Sequence, residues 1–276
     1  MTNDSFSIRL REARQMMGLS MDKLVERTNG AITKQSISRY EKGIMRPKRD
    51  ALQAIAKALN ISEAYFNGTN IKIDVPMLRT TSNGKVSEDE LQALEAKLSF
   101  WAEQYLAKEK EAGFPTQFKN PIKGTKVSTL EDAIQASSLL REKWHCGDGP
   151  IASILRLLER KGIMILAATL PEYVFGMSTW ADKKHPLMIL DFNPEKSSVE
   201  KLRFTAVHEL AHLLLLFPED SPLRLEKCCD LFASFFLLPK LALIEELGSR
   251  KRELITLEEM IDIKELYGAS LAASII

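Results

Sequence analysis

Apolar residues recur every three or four positions through the first 68 residues, a period that is typical of amphipathic helices. The pattern predicts helices over residues 8–17, 21–27, 34–42 and 51–59, followed by a last turn from Ser62. Gly18 and Gly43 are placed to end the first and third helices, and Ser20 and Asp50 to cap the second and fourth. We expect five short helices around a core formed by Leu10, Ala13, Leu24, Ile37, Tyr40, Leu52, Ile55, Ala56 and Leu59.

The pattern changes after residue 68. Residues 71–76 alternate like a short strand, an apolar stripe predicts a helix over about 87–111, and residues 114–124 have the composition of a linker. From residue 126 onward, two helices precede three strands and further helices: 129–143 and 149–161, then 163–167, 173–180 and 186–190, then 203–216, 225–238, 241–247, 257–267 and 270 onward. Thr129 or Ser128 is expected to cap the first of these helices, and Pro150 to lie in the first turn of the second.

This order of elements predicts an α+β fold with two domains. Residues 1–68 form an N-terminal all-α bundle, and residues 69–125 form a linker with one helix. Residues 126–276 form a mainly helical domain with a small three-stranded sheet.

The chain has 276 residues, of which 45% are hydrophobic, enough for two domains and a substantial core. No apolar run approaches the roughly 18 residues of a membrane span, and the first residues do not form a signal peptide. The three cysteines, two of them adjacent, fit neither a disulfide framework nor paired C-x-x-C zinc motifs. We therefore expect a cytoplasmic protein with reduced cysteines and no membrane partner.

The net charge of +1 conceals an asymmetry along the chain. Residues 1–68 carry 12 Lys and Arg against 7 Asp and Glu, a balance of +5, whereas the remainder carries 26 against 30, a balance of −4. A basic head on a mildly acidic body predicts that only the head binds a polyanion.

The second and third predicted helices are joined by a short loop, which is the arrangement of a helix-turn-helix whose second helix enters the major groove of DNA. Between Thr33 and Arg49 the chain has six cations and one glutamate. Gln35 is suited to an adenine edge, and Arg39 to guanine or phosphate. The other predicted DNA contacts lie beside them or bind backbone phosphates: Lys34, Ser36, Ser38, Lys42, Arg46, Lys48 and Arg49. An ordinary helical bundle with a solvated basic surface is the alternative.

Residues 18–20, 37–43, 47 and 55–62 carry a family pattern. Through them the head resembles the phage-repressor, or Xre-type, helix-turn-helix family. The resemblance implies binding to a double-stranded DNA operator, and such repressors usually bind two half-sites as homodimers. Met21 departs from the family, which often has a phosphate-binding glutamine there, and the loop 29–33 is longer than is common.

An apolar helical segment, residues 203–216, carries His208, Glu209 and His212 in the H-E-x-x-H arrangement. Positions four apart lie on one helix face about 6 Å along the axis, so both imidazoles can bind one metal ion. Glu209 lies beside that ion, where it can take a proton from a metal-bound water. The motif predicts a zinc site, with Mn²⁺ as an alternative ion, and Glu209 as general base.

A catalytic zinc usually has three protein ligands and one open position. Glu226 and Asp230 lie one turn apart on the next predicted helix and face the same way. We predict that Glu226 is the third ligand and that Asp230 fixes a ligand histidine through its other ring nitrogen. Competing ligands are Glu219, Asp220, Cys228 and Cys229. The alternative is a pair of histidines that are simply packed on an apolar helix.

Two further elements bear on a peptidase function. An exposed edge strand, residues 174–180, could hold an extended substrate by adding it to the sheet, although a covered strand fits the sequence equally well. The oxyanion of a tetrahedral intermediate needs a hydrogen-bond donor. Candidates for that donor are His145, Tyr173, His185 and Arg203.

Residues 140–144, 149–151, 158–163, 175–178, 203–212 and 226–239 carry a second family pattern. Through them the body resembles the ImmA/IrrE family of metallopeptidases, in the arrangement in which an Xre-type domain precedes the peptidase domain. The resemblance implies that residues 126–276 form a zinc-dependent endopeptidase that cleaves a helix-turn-helix repressor and switches on stress or mobile-element genes. The family commonly has a small residue and then Asn where this chain has Cys229 and Asp230.

Two other functions stay open from the sequence. The chain fits a transcription factor whose metal site is structural or sensory, with no peptidase turnover; closure of the metal by Cys228 or another side chain would favour that function. It also fits an antitoxin-like or phage-encoded regulator that cleaves itself within residues 114–124.

Overall fold

The computed structural model describes residues 5–68, 71–73, 88–113, 117–170, 174–218, 222–248 and 254–269. These residues contain eleven α-helices, one 3₁₀ helix and three strands. The chain divides into two compact units, Met1–Pro115 with Trp180–Lys184, and Thr116–Thr179 with His185–Ile276. The predicted α+β fold, an all-α bundle followed by a mainly helical body with a three-stranded sheet, is confirmed.

Five short helices near the N-terminus form the predicted bundle: α1 (Ser5–Met16), α2 (Met21–Arg27), α3 (Lys34–Glu41), α4 (Arg49–Leu59) and the 3₁₀ helix Glu63–Asn67. The core contains the expected apolar residues, among them Leu10, Leu24, Ile37 and Ile55, which are fully buried. Leu52 was expected in the core but is only partly buried and packs against it.

Local capping explains the starts of α2 and α3. The Ser20 hydroxyl accepts a hydrogen bond from the Lys23 N–H, and the Thr33 hydroxyl accepts one from the Ser36 N–H. Each bond satisfies a donor that a helix start leaves without a partner inside the helix. The cap predicted for α4 is wrong, because Lys48 is the N-cap and Asp50 lies in the first turn.

The helix predicted within the linker, α5 (Glu88–Glu111), packs on α1. Arg9 of α1 is buried, forms a 2.7 Å ion pair with Glu103 of α5, and covers the ring of Tyr65 at 3.9 Å. A buried pair of this kind is costly to break, since either charge alone would be left desolvated. The strand predicted over residues 71–76 is not seen in residues 71–73, and residues 74–76 lie outside the described ranges.

The body contains α6 (Leu130–Trp144), α7 (Ile154–Arg160), β1 (Met164–Ala167), β2 (Gly176–Ala181), β3 (His185–Leu190), α8 (Val199–Leu214), α9 (Pro222–Leu237), α10 (Lys240–Leu247) and α11 (Leu257–Tyr267). Thr129 begins α6 with a capping box that it forms with Asp132. The predicted start of α7 is wrong: Ser153 is its N-cap, so Pro150 precedes the helix.

The three strands form one sheet in the order β1-β3-β2. β1 and β3 are parallel, with Met164 opposite Leu187 and Ala167 opposite Leu190. Leu187 to Leu190 are fully buried, as expected for a central strand that is covered on both faces. Helix α8 packs against β3, and α9 packs against both α8 and α6.

Some predictions fall on parts of the chain that are not described, namely Tyr173, Glu219, Asp220 and the helix from residue 270. Within the described ranges, no helix has the length and hydropathy that crossing a membrane requires.

Candidate functional site

Helix α8 holds the two histidines on a rigid, buried segment. It begins at the N-cap Ser198, whose hydroxyl accepts a hydrogen bond from the Lys201 N–H. Ala206, Val207 and Leu210 are fully buried because α8 packs between β3 and α9. His208 and His212 are half-buried, and their rings meet side chains of α9.

Three predicted ligand atoms converge between α8 and α9. His208 Nε2 lies 3.1 Å from His212 Nε2 and 3.1 Å from Glu226 Oε2. His212 Nε2 lies 3.7 Å from Glu226 Oε1. Two ring nitrogens that both carried hydrogen would repel at such a distance, so at least one of them presents a lone pair. The structure therefore brings His208, His212 and Glu226 together as the sequence predicts.

The spacing of these atoms fits a tetrahedral zinc ion. Zinc bonds to nitrogen and oxygen of about 2.0–2.1 Å at tetrahedral angles place neighbouring donor atoms about 3.3–3.4 Å apart. The observed separations of 3.1 and 3.7 Å lie on either side of that distance. Two imidazoles and a carboxylate also form a donor set that zinc takes in catalytic sites, whereas Mn²⁺ is better suited to oxygen ligands.

Consecutive residues of α9 contact the far nitrogens of the two histidines. Asp230 Oδ1 lies 2.9 Å from His208 Nδ1, which is the contact predicted for a carboxylate that orients a ligand histidine. Cys229 Sγ lies 3.8 Å from His212 Nδ1. Asp230 therefore occupies its expected place, and Cys229 supports the second ring in a way that the sequence did not predict.

Cys229 also belongs to an alternative donor set. Ligand atoms of His208, His212 and Cys229 lie within 4.8 Å of one another. However, the thiol approaches the Nδ1 side of His212, whereas the Nε2 atoms of both histidines face Glu226. An ion shared by the two Nε2 atoms therefore has Glu226 as its nearest third ligand. Cys228 is placed elsewhere, with its thiol 3.7 Å from the Thr129 carbonyl.

Burial and hydrogen bonding act on the two imidazoles differently. Burial lowers the pKa of His208, but its hydrogen bonds with Asp230 and Glu226 prevail and raise that pKa to about 9. Burial, and then the charge of His208, lower the pKa of His212 to about 4. The metal-free site therefore keeps one proton at neutral pH, and a metal ion must displace it.

Glu209, the predicted general base, lies beside the ligand atoms and is only 5% exposed. Burial raises its pKa, while the charge of His208 and a hydrogen bond from Ser178 favour the ionised form. The Ser178 hydroxyl on β2 donates this bond to Glu209 Oε2 at 2.8 Å. No role was predicted for Ser178, because local spacing carries no signal for a contact between residues 31 positions apart.

The proposed oxyanion donors have other positions or other partners. The Arg203 guanidinium donates to the carbonyls of Ile151, Ala152, Tyr267 and Gly268, so the structure uses it to hold loops and the end of α11. His145 is the C-cap of α6, and His185 is the first residue of β3. Tyr173 lies outside the described residues.

The predicted DNA contacts lie on α3, on the loop that follows it and at the first residue of α4. The exposed members are Lys34, Gln35, Arg39, Lys42, Arg46, Lys48 and Arg49. Ser36 and Ser38 are half-buried, and the Ser36 hydroxyl lies 3.0 Å from that of Thr33 at the helix start. Lys34 forms a 2.7 Å ion pair with Asp22 of α2, which water weakens because both groups are exposed.

The single acid among residues 34–49 points inward. Glu41 is buried and accepts hydrogen bonds of 2.6 and 3.0 Å from the Arg14 guanidinium of α1. Since this carboxylate is neutralised inside the bundle, the exposed charges of residues 34–49 are all positive. Such a surface attracts the phosphates of a nucleic acid.

Comparison with known proteins bears on the part of the chain that carries the predicted DNA contacts. A family model described as helix-turn-helix matches residues 10–66, the segment from α1 to the 3₁₀ helix. A search of curated proteins found no match to the chain. Residues 10–66 thus form an Xre-like helix-turn-helix domain, which supports a DNA-binding transcription regulator.

Proposed function

We propose that this protein is a DNA-binding transcription regulator whose body is a zinc-dependent endopeptidase. The helix-turn-helix match supports DNA binding. One observation carries the enzymatic part: donor atoms of His208, His212 and Glu226 lie 3.1 to 3.7 Å apart, beside the buried carboxylate of Glu209. Histidines that only fill a core do not need to direct ring nitrogens at each other and at one shared carboxylate.

Zinc in this position would polarise a peptide carbonyl and lower the pKa of a bound water. His208, His212 and Glu226 would hold the ion, with Asp230 fixing the orientation of His208. Glu209 would accept the proton of the attacking water and return it to the leaving amine. Burial raises the pKa of Glu209, which makes its carboxylate a stronger base for the first of these transfers.

The sheet edge supports binding of an extended substrate. β2 is the last strand in the order β1-β3-β2, and its Ser178 contacts Glu209. A peptide that paired with β2 would therefore run past the base and the three donor atoms. The ImmA/IrrE resemblance suggests a helix-turn-helix repressor as the substrate, in the control of stress or mobile-element genes.

The helix-turn-helix unit would bring the peptidase to DNA. Helix-turn-helix proteins usually bind operator half-sites as dimers, so we propose that the protein acts as a homodimer on double-stranded DNA. Bound near an operator, the peptidase would be concentrated where a DNA-bound repressor is found.

A structural or sensory metal site is the second candidate function, and the position of Cys229 favours it. Its thiol lies 3.8 Å from His212 Nδ1. If metal binding moved this thiol into coordination, His208, His212, Glu226 and Cys229 would supply four ligands, as in the closed sites that zinc uses for structure. The protein would then be a metal-dependent transcription factor without turnover.

The test compares the zinc-loaded protein with Glu209→Gln, a variant of nearly identical shape. Both are incubated with fluorescently labelled casein and with a peptide library of mixed sequence, and new termini are identified by mass spectrometry. We expect cleavage by the wild type, and loss of about 100-fold or more in the variant with one zinc ion still bound. Zinc binding without any cleavage would favour the structural site, and equal cleavage by both proteins would exclude Glu209 as the base.

A further inference from the structure

Strand β2 lies against helix α8 at two points. Gly176 is the first point: a Cβ atom built there would lie 2.6 Å from Thr205 Cγ2 and 3.0 Å from Leu190 Cδ2. Only a residue without a side chain lets β2 approach α8 this closely. Ser178 is the second point, where its hydroxyl donates to Glu209 at 2.8 Å.

The two points match in spacing. Residues two apart on a strand share one face and lie about 6.6 Å apart, and residues four apart on a helix share one face and lie about 6 Å apart. Gly176 therefore lies against Thr205 and Ser178 against Glu209, because two residues along the strand span nearly the same distance as four residues along the helix. The close approach at Gly176 sets the distance at which the Ser178 hydroxyl reaches the carboxylate.

We propose that Ser178 is a positioning residue that holds the Glu209 carboxylate in its working orientation, and that Gly176 makes this contact possible. The inference rests on the function proposed above, in which Glu209 is the general base. The bond from the Ser178 hydroxyl to Oε2 restricts the rotation of the carboxylate. Because the same strand would pair with the substrate, Ser178 also ties the position of the base to the position of the peptide.

Burial makes this bond important. A carboxylate that is 5% exposed loses most of its hydration, and a hydroxyl donor replaces part of what water would supply.

The experiment uses the full-length, zinc-loaded protein with two substitutions at one position and a matched control. Ser178→Ala removes the hydroxyl, and Ser178→Thr keeps it on a β-branched residue that suits a strand. Ser137→Ala is the control, since Ser137 is a buried serine whose hydroxyl donates to the Ile134 carbonyl within α6. Zinc affinity, acetohydroxamate affinity, and kcat and KM on labelled casein are measured for each protein. A hydroxamate binds an open metal position and gives its proton to a neighbouring carboxylate, so it probes Glu209 without turnover.

We expect Ser178→Ala to bind zinc as the wild type does, to bind acetohydroxamate about tenfold more weakly, and to lose about tenfold or more in kcat with KM unchanged. Ser178→Thr should restore both properties to within about threefold, and Ser137→Ala should match the wild type. Wild-type hydroxamate affinity and kcat in Ser178→Ala would overturn the positioning role. A wild type that binds zinc but neither binds hydroxamate nor cleaves casein would instead overturn the proposed function, and the role of Ser178 with it.

A second substitution tests the close approach. Gly176→Ala should lose kcat and hydroxamate affinity as Ser178→Ala does, because the new methyl group meets the Thr205 methyl and separates β2 from α8. Adding Thr205→Ser removes that methyl while keeping the hydroxyl, and should recover part of the loss. Full activity in Gly176→Ala, or no recovery in the folded double variant, would contradict the proposed two-point docking.

Discussion

Oδ1 of Asp230 lies 2.9 Å from Nδ1 of His208, so a carboxylate on α9 contacts the ring nitrogen that is opposite the converging donor atoms. This contact fixes the orientation of the ring and determines which nitrogen carries hydrogen when a metal is bound. The pair joins the two helices that form the site, and the first prediction concerns it.

Replacing Asp230 should weaken zinc binding without removing a ligand. We expect Asp230→Ala to lower zinc affinity by about 10- to 100-fold, the usual effect of deleting a carboxylate that supports a ligand histidine. Competition with a chromophoric chelator measures the change. Asp148→Ala, which removes an exposed carboxylate from the same unit, should leave the affinity unchanged. Equal affinities in the two variants would show that Asp230 does not support the ligand.

The absorption spectrum of the cobalt-loaded protein should identify the third ligand. If Glu226 is the ligand and Cys229 only supports His212, the spectrum should lack the intense near-ultraviolet band of a cobalt-thiolate bond. Glu226→Ala should lose the metal, and Cys229→Ala should keep it with reduced affinity. A thiolate band that disappears in Cys229→Ala would assign the thiol as a ligand and favour the structural site.

Zinc affinity should rise with pH. The pKa of His208 is about 9 in the metal-free protein, above its ordinary value of 6.5, because of its bonds with Asp230 and Glu226. Below that pH one proton must leave for each zinc ion bound, so the apparent affinity should increase about tenfold per pH unit and level off as pH 9 is approached. Chelator competition between pH 6 and 8 measures the slope. His212 adds nothing in this range, since its pKa is lowered to about 4. An affinity that does not vary with pH would show that His208 is not protonated in the metal-free protein.

DNA binding should depend on α3. Arg39 is exposed on that helix, and Arg39→Ala should weaken binding to a duplex selected from random sequence by about tenfold or more. Lys57→Ala removes one exposed charge from α4 and should have a much smaller effect. Fluorescence anisotropy at several salt concentrations measures both, and wild-type affinity should fall steeply with salt because bound phosphates release counterions. Similar losses in the two variants would contradict α3 as the recognition helix.

The stability of the body should depend on Arg141. Its guanidinium is buried and donates to the carbonyls of Gly147, Gly149 and Phe236 at 2.6 to 2.8 Å. Arg141→Ala leaves these acceptors without their donor and should lower the free energy of unfolding by about 3 kcal/mol, measured by urea denaturation of the metal-free protein. Arg156→Ala, an exposed position on α7, should change it by less than about 0.5 kcal/mol.

Local sequence periodicity predicted most of the fold. Helices α2 and α11 have the predicted bounds, and the three strands lie where short apolar runs predict them. The errors at Asp50 and Pro150 both concern helix starts, where several nearby residues can serve as cap or first turn. The packing of α5 on α1 had no local signal, because Arg9 and Glu103 are separated by 94 positions.

The sequence by itself determined the parts of the site that depend on spacing within one helix. His208 and His212 share a face because they lie four apart, and Glu226 and Asp230 do so for the same reason. Only the tertiary structure decided what these faces meet: Asp230 supports His208, Cys229 supports His212, and Ser178 of β2 reaches Glu209. Those contacts depend on how closely α9 and β2 pack against α8. Residues such as Gly176 set that distance for β2, because a side chain there would collide with Thr205, which is 29 positions away in the sequence.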